Sequence, residues 1–451
     1  MKNKKICPRT RLVSIHKLFA ALVLIFLWAP AHKAQNRVWT LEECIDTARV
    51  YNKSLQIGRN NVSAGEERYK EAIAGLIPKI NFTADYKYFT ALPYQLMPMS
   101  TFGGPPGKFK ETQFGVPHNI NGSIQASVPL YSPQIYGAIS ATAAAKEISA
   151  LQYRKTEEQV YMEISNIYYN AQILQHQLVF INGNIRNTEK LLENIKLLRD
   201  QLMAKSTDVN KVELQYKQLL TQKESVQANL EQAMNALKFA MGRSIDAYLE
   251  TEAEIKFGDG VEYDASPTIE MKLAAAQSAL LESELSTLKK FWLPNISLYG
   301  SFSQNGFGYD KAPNDFLKFF PSGFAGINFS VPIFNGTATY RKINQKEIEI
   351  RNSELQKNLI EEQTNMQREN AEKKRSIAQA NIKNSYVQMD LAKSIYEKTL
   401  LQQQEGTAGT TEVLLADMAM REAQQSNLSS IVEYLRADLE LKKLTGNINN
   451  N

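Results

Sequence analysis

The sequence predicts a mostly α-helical chain that carries a transmembrane β-segment on very long helices. Three observations predict it. All 15 prolines lie at or before Pro133 or between Pro267 and Pro332. Two stretches of more than ~110 residues are therefore free of the residue that breaks helix interiors. The Pro-bearing stretches alternate apolar and polar residues with period two, whereas the Pro-free ones repeat every 3.5 residues. Finally, short segments recur in the same order a little over 200 residues later.

The N-terminus reads as an export signal. Lys2, Lys4, Lys5, Arg9, Arg11 and Lys17 precede an apolar run of 14 residues, Leu18 to Ala31. That run is too short to cross a bilayer as a helix. It ends in Ala29-Pro30-Ala31, a small-x-small cleavage pattern with Ala34 as a second option, so residues 1–34 are set aside. Six basic and no acidic residues lie before residue 32, so cleavage after Ala31 takes the formal charge from +5 to −1. The excess of positive charge that would point to nucleic acid does not survive. Cys7 leaves too, and Cys44 alone cannot make an internal disulfide. With His118 and His176 the only securely mature histidines, neither a metal site nor a cofactor is expected. A Gly-rich phosphate loop and a nucleophile–His–acid set are likewise missing, so the chain does not read as an enzyme.

Repetition organises the rest. Ile77-Pro78-Lys79-Ile80 recurs as Leu293-Pro294-Asn295-Ile296, and Ser127-Val128-Pro129-Leu130-Tyr131 as Ser330-Val331-Pro332-Ile333-Phe334. Asp208-Val209 returns as Glu412-Val413 and Met241-Gly242 as Thr445-Gly446, each 204 residues on. The expectation is an internal duplication: a first repeat at 38–242, a linker or equatorial segment at 243–266, a second repeat at 267–446, and a C-terminal tail at 447–451. In each repeat two strands flank a loop. Ile80, Phe82, Ala84, Tyr86 and Tyr88 alternate with Asn81, Thr83, Asp85 and Lys87. Ile120 to Val128, Ile296 to Phe302 and Ala325 to Val331 do the same. Strands of seven to ten residues with one apolar face suit either a soluble sandwich or a lipid-facing barrel. Four strands cannot close a barrel, which takes roughly eight, so a barrel would need several chains. Residues 90–118 and 304–322, rich in Gly, Pro and aromatics, read as the loops between strands.

The Pro-free stretches read as helical hairpins. Ile164, Ile167, Ala171, Leu174, Leu178, Ile181 and Ile185 are spaced alternately by three and four. Val212, Tyr216, Leu219, Val226, Leu230, Ala233 and Leu237 keep the seam, with Lys223 interrupting it. Pro133 to Met203 and Gly336 to Glu405 would each make ~105 Å of helix. Met203 to Asp208 is the first turn, with Ser206 or Thr207 as N-cap, and Glu405 to Glu412 the second.

These residues resemble the TolC-like outer-membrane efflux proteins over nearly the whole mature chain. The resemblance rests on Leu41-Glu42-Glu43-Cys44-Ile45 after N-cap Thr40, both Pro-headed strands, both Ser-Val-Pro-[Leu/Ile]-[Tyr/Phe] segments and the Glu405-Gly406-Thr407 turn. It implies a homotrimer in the outer membrane of a Gram-negative cell, in contact with outer-membrane lipid. Four strands per chain would build one 12-stranded β-barrel above a periplasmic α-helical barrel. It also implies two partners, a periplasmic adaptor (membrane fusion) protein and an inner-membrane pump. Adaptor contact would fall on Met203, Ala204, Lys205, Glu405, Gly406 and Thr407. The family's first acidic entrance position falls on Glu412, where three copies would form a ring favouring cations; a solvated, helix-capping Glu412 is the plain alternative. The second position falls on Leu415, with Asp417 near but out of register. Gln403 and Ala408 stand where family members carry closing links. The function so implied is a passive exit duct for small molecules. A duct for type I protein secretion, or a non-conducting coiled-coil tether, are the alternatives.

Overall fold

The computed structural model describes residues 38–255, 262–308 and 318–448. The export signal read at 1–34 lies outside the described residues. So do the end of the 447–451 tail and parts of the 243–266 linker and the 304–322 loop. Strands are β1 (Val38–Trp39), β2 (Lys79–Tyr88), β3 (Tyr94–Pro98), β4 (Phe109–Gln113), β5 (His118–Tyr131), β6 (Glu250–Thr251), β7 (Asn295–Gly308) and β8 (Lys318–Ser330). Helices are α1 (Leu41–Tyr51), α2 (Lys53–Ala74), α3 (Pro133–Asp200), α4 (Ser206–Ala240), α5 (Ile269–Lys289), α6 (Ala338–Gln404) and α7 (Thr410–Leu444).

The element order of the first half returns in the second. A 68-residue helix and a 35-residue helix follow β5; a 67-residue helix and a 35-residue helix follow β8. At 1.5 Å per residue α3 and α6 are each ~100 Å long. Both are Pro-free after their first residue, as the proline distribution predicts. The buried positions of α4 include Val212, Leu219, Val226, Ala233 and Ala240, and those of α7 include Val413, Met420, Asn427, Tyr434 and Leu441. Both series step by seven, which is the seam of coiled-coil packing.

Each long helix pairs with its own return helix, α3 with α4 and α6 with α7, while α2 and α5 lie alongside the sheet-proximal halves of α3 and α6. Close packing there depends on Gly137, whose added Cβ would sit 2.1 Å from Thr287 Cγ2 on α5. Two of the three apolar clusters among the described residues, the middle and the far one, each join several elements. Midway, Cys44, Ile45, Ala48 and Leu55 pack against Ile164, Tyr168, Leu237 and Met241. Towards the far end, Leu191, Leu192 and Ile195 meet Val209, Val212, Tyr396, Val413 and Met420, so all four long helices share one cluster.

Caps fix the entry to the middle core. Glu43 N donates to Thr40 Oγ1 and Thr40 N to Glu43 Oε2, both at 3.2 Å, the reciprocal capping box expected at Thr40. Asn52 caps α2 through Leu55 N and also donates its amide to Ala240 O at 2.7 Å. One side chain thus ties the start of α2 to the end of α4. Three expectations need correction. The 304–322 segment is strand at both ends, since β7 runs to Gly308 and β8 starts at Lys318. The 90–118 segment is not all loop, because β3 and β4 pair within it as an antiparallel hairpin. At the start of α4 the N-cap is Lys205, without a side-chain cap, and Ser206 is already helical.

Candidate functional site

Three places can carry function: the sheet, the turns at the far end of the helices, and the polar groups buried between the hairpins there. The sheet is antiparallel in the order β2-β5-β7-β8, so β2 and β8 are edges with one side unpaired among the described residues. Its register sorts the side chains cleanly. Phe82, Ile124, Phe302 and Gly323 lie in one row across all four strands. With Ile80, Leu298, Ile327 and Phe329 they make an exposed apolar face. The opposite face carries hydroxyls and amides, with charged and aromatic side chains among them. Thr83, Ser123, Ser303 and Ser322 form one row, bonded at 2.8 Å between Thr83 and Ser123 and 2.7 Å between Ser303 and Ser322. In the next row Asn121 donates to Asn305 at 2.6 Å.

Aromatic groups bound the apolar face at both ends. Tyr86, Tyr88 and His118 cluster at one, and Tyr131, Tyr136, Phe291 and Trp292 lie at the other. Strand β5 spans the interval with 14 residues, ~45 Å of strand or ~34 Å at a 40° tilt. An apolar band of ~25 Å between two aromatic girdles fits that height. Among the described residues no helix is long and apolar enough to cross a membrane.

At the far end the two turns share one geometry. Leu202 stands at φ 62° and Gly406 at φ 75°. Met203 N donates to Leu198 O at 2.8 Å and Thr407 N to Gln402 O at 2.9 Å. Both are six-to-one helix closures with a left-handed residue. Glycine takes this conformation freely, but a leucine there costs ~1 kcal/mol or more. Leu202 is 95% exposed and Met203 73%. Lys205, Glu405, Gly406 and Thr407 are exposed too, with Ala204 half-buried. All six residues expected for adaptor contact thus lie at one end, while Leu202, the most exposed apolar side chain there, was not among them. Its only signal in the sequence is its position 204 residues before Gly406.

The two acidic candidates fall in different surroundings. Glu412 is exposed on the first turn of α7 and accepts from Gly409 N at 3.2 Å. That is the helix-capping role, and it leaves the second carboxylate oxygen to solvent. Asp417 is 2% exposed. Its carboxylate pairs with Arg421 at 3.1 Å, and the Gln215 amide of α4 lies against both. Burial raises the Asp417 pKa, with Arg421 pulling it back. Tyr396, close by on α6, is pushed up to about 12 by burial first and then by Asp417. Lys211 reaches from α4 to Thr411 Oγ1 at 3.3 Å. Lys211, Gln215 and Asp417 therefore join the two hairpins within about the first three turns of α4 and α7.

Higher on the shaft, Glu158 of α3 is buried, and its carboxyl is pushed up to about 7 by burial and by Glu270, against Lys443, Lys272 and Lys155. The Cys44 thiol is raised to about 12 by burial and by Glu43, which keeps it an inert core group. Among the described residues no group of three or more His, Cys, Asp or Glu is placed to hold a metal ion.

Comparison with known proteins agrees with this layout. Residues 44–243 match the family described as outer membrane efflux protein. Solved structures match in fold. The outer membrane protein VceC of Vibrio cholerae superposes with a TM-score of 0.73 at 14% identity, covering 90% of this chain and 96% of its own. The CmeC outer membrane channel of Campylobacter jejuni gives 0.72 at 13%, covering 92% and 86%. The MtrE outer membrane channel of Neisseria gonorrhoeae, in its open state, gives 0.72 at 15%, covering 90% and 88%. Comparison with curated protein sequences gives no match.

Proposed function

We infer, for a chain whose residues 44–243 match the outer membrane efflux protein family and whose fold matches the outer membrane protein VceC over 90% of its length, that it is one third of a passive exit duct in the outer membrane. The observation that carries this is the four-stranded sheet. It has an apolar face, a hydroxyl-and-amide face, and two open edges. In hydrocarbon an unpaired strand edge is not tolerated, so β2 and β8 must each find a partner strand. A ring of three chains gives twelve strands with no edge. The apolar face then meets lipid and the polar face lines water.

The helices continue that ring as a tunnel into the periplasm, and the repeated element order supports a duplicated gene segment as its origin. The shared turn geometry and the exposed Leu202–Met203 pair support contact with a periplasmic adaptor, itself joined to an inner-membrane pump. Glu412 is the acidic group open to the tip, and three copies would favour cations there. Asp417, held inside the hairpin packing, acts on the entrance by joining α4 to α7 rather than by lining it.

The test has two arms. Purified full-length protein should run as a trimer and conduct ions in a planar bilayer; a coiled-coil tether gives no conductance. Deletion of the gene should raise sensitivity to several unrelated toxic compounds. Unchanged sensitivity to all, with a specific polypeptide lost from the medium, would assign the duct to protein secretion instead.

A further inference from the structure

The polar face of the sheet carries side chains that a plain water-filled wall does not need. Tyr299 and Phe324 lie on it in a T-shaped pair with centroids 5.9 Å apart, and Phe307 and Phe320 in a tilted pair at 6.0 Å. The register leaves no doubt about the side: Ser301 faces Phe324, and Asn305 faces Phe320, in the rows flanking the Ser303–Ser322 pair. All four rings are substantially exposed, and Phe324 is 61% open. Burial in this chain therefore does not explain them.

The first pair is built rather than incidental. Tyr299 is in register with Gly326, and a Cβ added there would lie 3.2 Å from the Tyr299 ring. Glycine on β8 thus lets the tyrosine lie down across the strand as a flat shelf, with Phe324 standing against its edge. Hydroxyls and amides run alongside, from Ser301, Ser303 and Asn328. The charge on the same face is mostly positive: Lys79, Lys87 and Lys318 against Asp85, which pairs with Lys87 at 3.2 Å.

We propose that the Tyr299–Phe324 shelf is a contact site for planar aromatic anions, such as arene carboxylates and sulfonates, as they pass the sheet. The proposal rests on the duct reading and assigns the sheet end of the duct a contact chemistry of its own, apart from the Glu412 tip. A flat ring stacks on an exposed ring face, the hydroxyl row takes the polar edge, and the lysines attract the negative charge.

The experiment uses the full-length protein in a planar bilayer, with 1-pyrenesulfonate as probe and hexanesulfonate, an anion without a ring, as control. Pyrenesulfonate should interrupt the single-channel current for times about tenfold longer than hexanesulfonate. The double variant Tyr299→Ser/Phe324→Ser should erase that difference at unchanged open conductance, and Tyr299→Phe should keep it. Equal interruption times for the two anions in the wild type would overturn the proposal, whether or not the double variant inserts. Retention of the difference by a conducting double variant would overturn it as well. A wild-type protein that does not conduct would instead count against the duct.

Discussion

Leu202 and Gly406 hold the same left-handed position in the two tip turns, at φ 62° and 75°. The glycine sits there without strain; the leucine pays to be there and leaves its side chain in solvent. A strained, exposed apolar residue is kept where an unstrained one is available to the same fold. That asymmetry is the reason to place a binding role at the first turn.

Leu202→Gly should therefore stabilise the first hairpin end by ~1 kcal/mol while weakening capture by the proposed adaptor. Gly406→Leu should destabilise the second by a similar amount. Hydrogen exchange at the amides of 198–204 and 402–408 reads the stability, and copurification of the adaptor reads the docking. Slower exchange with undiminished capture would remove Leu202 from the contact.

The two faces of the sheet can be told apart with adjacent residues. Ile327 lies on the apolar face and Asn328 on the polar one. Arg at position 327 should cost ~2–4 kcal/mol of insertion if that face meets lipid near mid-bilayer, and trimers should be lost from outer-membrane fractions. Arg at 328 should assemble normally. The reverse pattern would mean that the sheet packs the other way round.

Burial of Glu158 predicts a specific pH dependence. Its carboxyl is raised to about 7 in the folded chain from about 4.3 when exposed. Above 7 the buried charge opposes folding. As pH falls through 7 the native state takes up the proton first, so stability rises until the unfolded value is reached. Chemical denaturation at pH 8 and pH 5 should differ by roughly 2–3 kcal/mol from this group, and Glu158→Gln should flatten the difference. A variant with the wild-type pH profile would show that Glu158 is not the source.

Asp417 acts in the same direction at the tip, since its pKa is also raised by burial. Lowering the pH through its folded value should slow opening between α4 and α7, seen as slower hydrogen exchange around Gln215. Arg421 would lose its ion pair on protonation, so Asp417→Asn together with Arg421→Gln should abolish the dependence. Persistence of the dependence in that pair would point to another carboxylate near the tip.

Gly242 closes α4 at φ 72°, and an added Cβ would lie 2.2 Å from Tyr51 O. Gly242→Ala should destabilise the middle core by ~2 kcal/mol or more, whereas Gly336→Ala, with open space around it at φ 66°, should cost only ~1 kcal/mol. Thermal melts of the two variants decide this.

Much of the fold was legible because single residues report local backbone rules. Prolines marked where the long helices are not, alternation gave the sheet its two faces, and Thr40 with Glu43 announced the first helix. The β3–β4 hairpin was not legible, because Pro98, Pro105 and Pro106 disguise its short strands as loop. Ser206 was misplaced as a cap because the left-handed Leu202 closes α3 and lets α4 start one residue sooner. Asp417 is an entrance candidate in the sequence only because it lies near the family's second acidic position, which falls on Leu415. Only the packing of Val413, Met420 and Tyr396 around it shows that it faces inward. The ring of three came from family resemblance, since an open edge demands a partner without saying how many.

The open edges of β2 and β8 also constrain when the subunit can enter the membrane. A lone chain that inserted its sheet would expose two rows of peptide groups to hydrocarbon, so the free energy of insertion is unfavourable until the last seam closes. In the proposed duct, insertion would then depend steeply on chain concentration, and the helical shafts, which can pair in water, would have to gather the copies first. A truncated chain that keeps the sheet but loses α3 and α6 should accumulate outside the bilayer however strongly it is expressed.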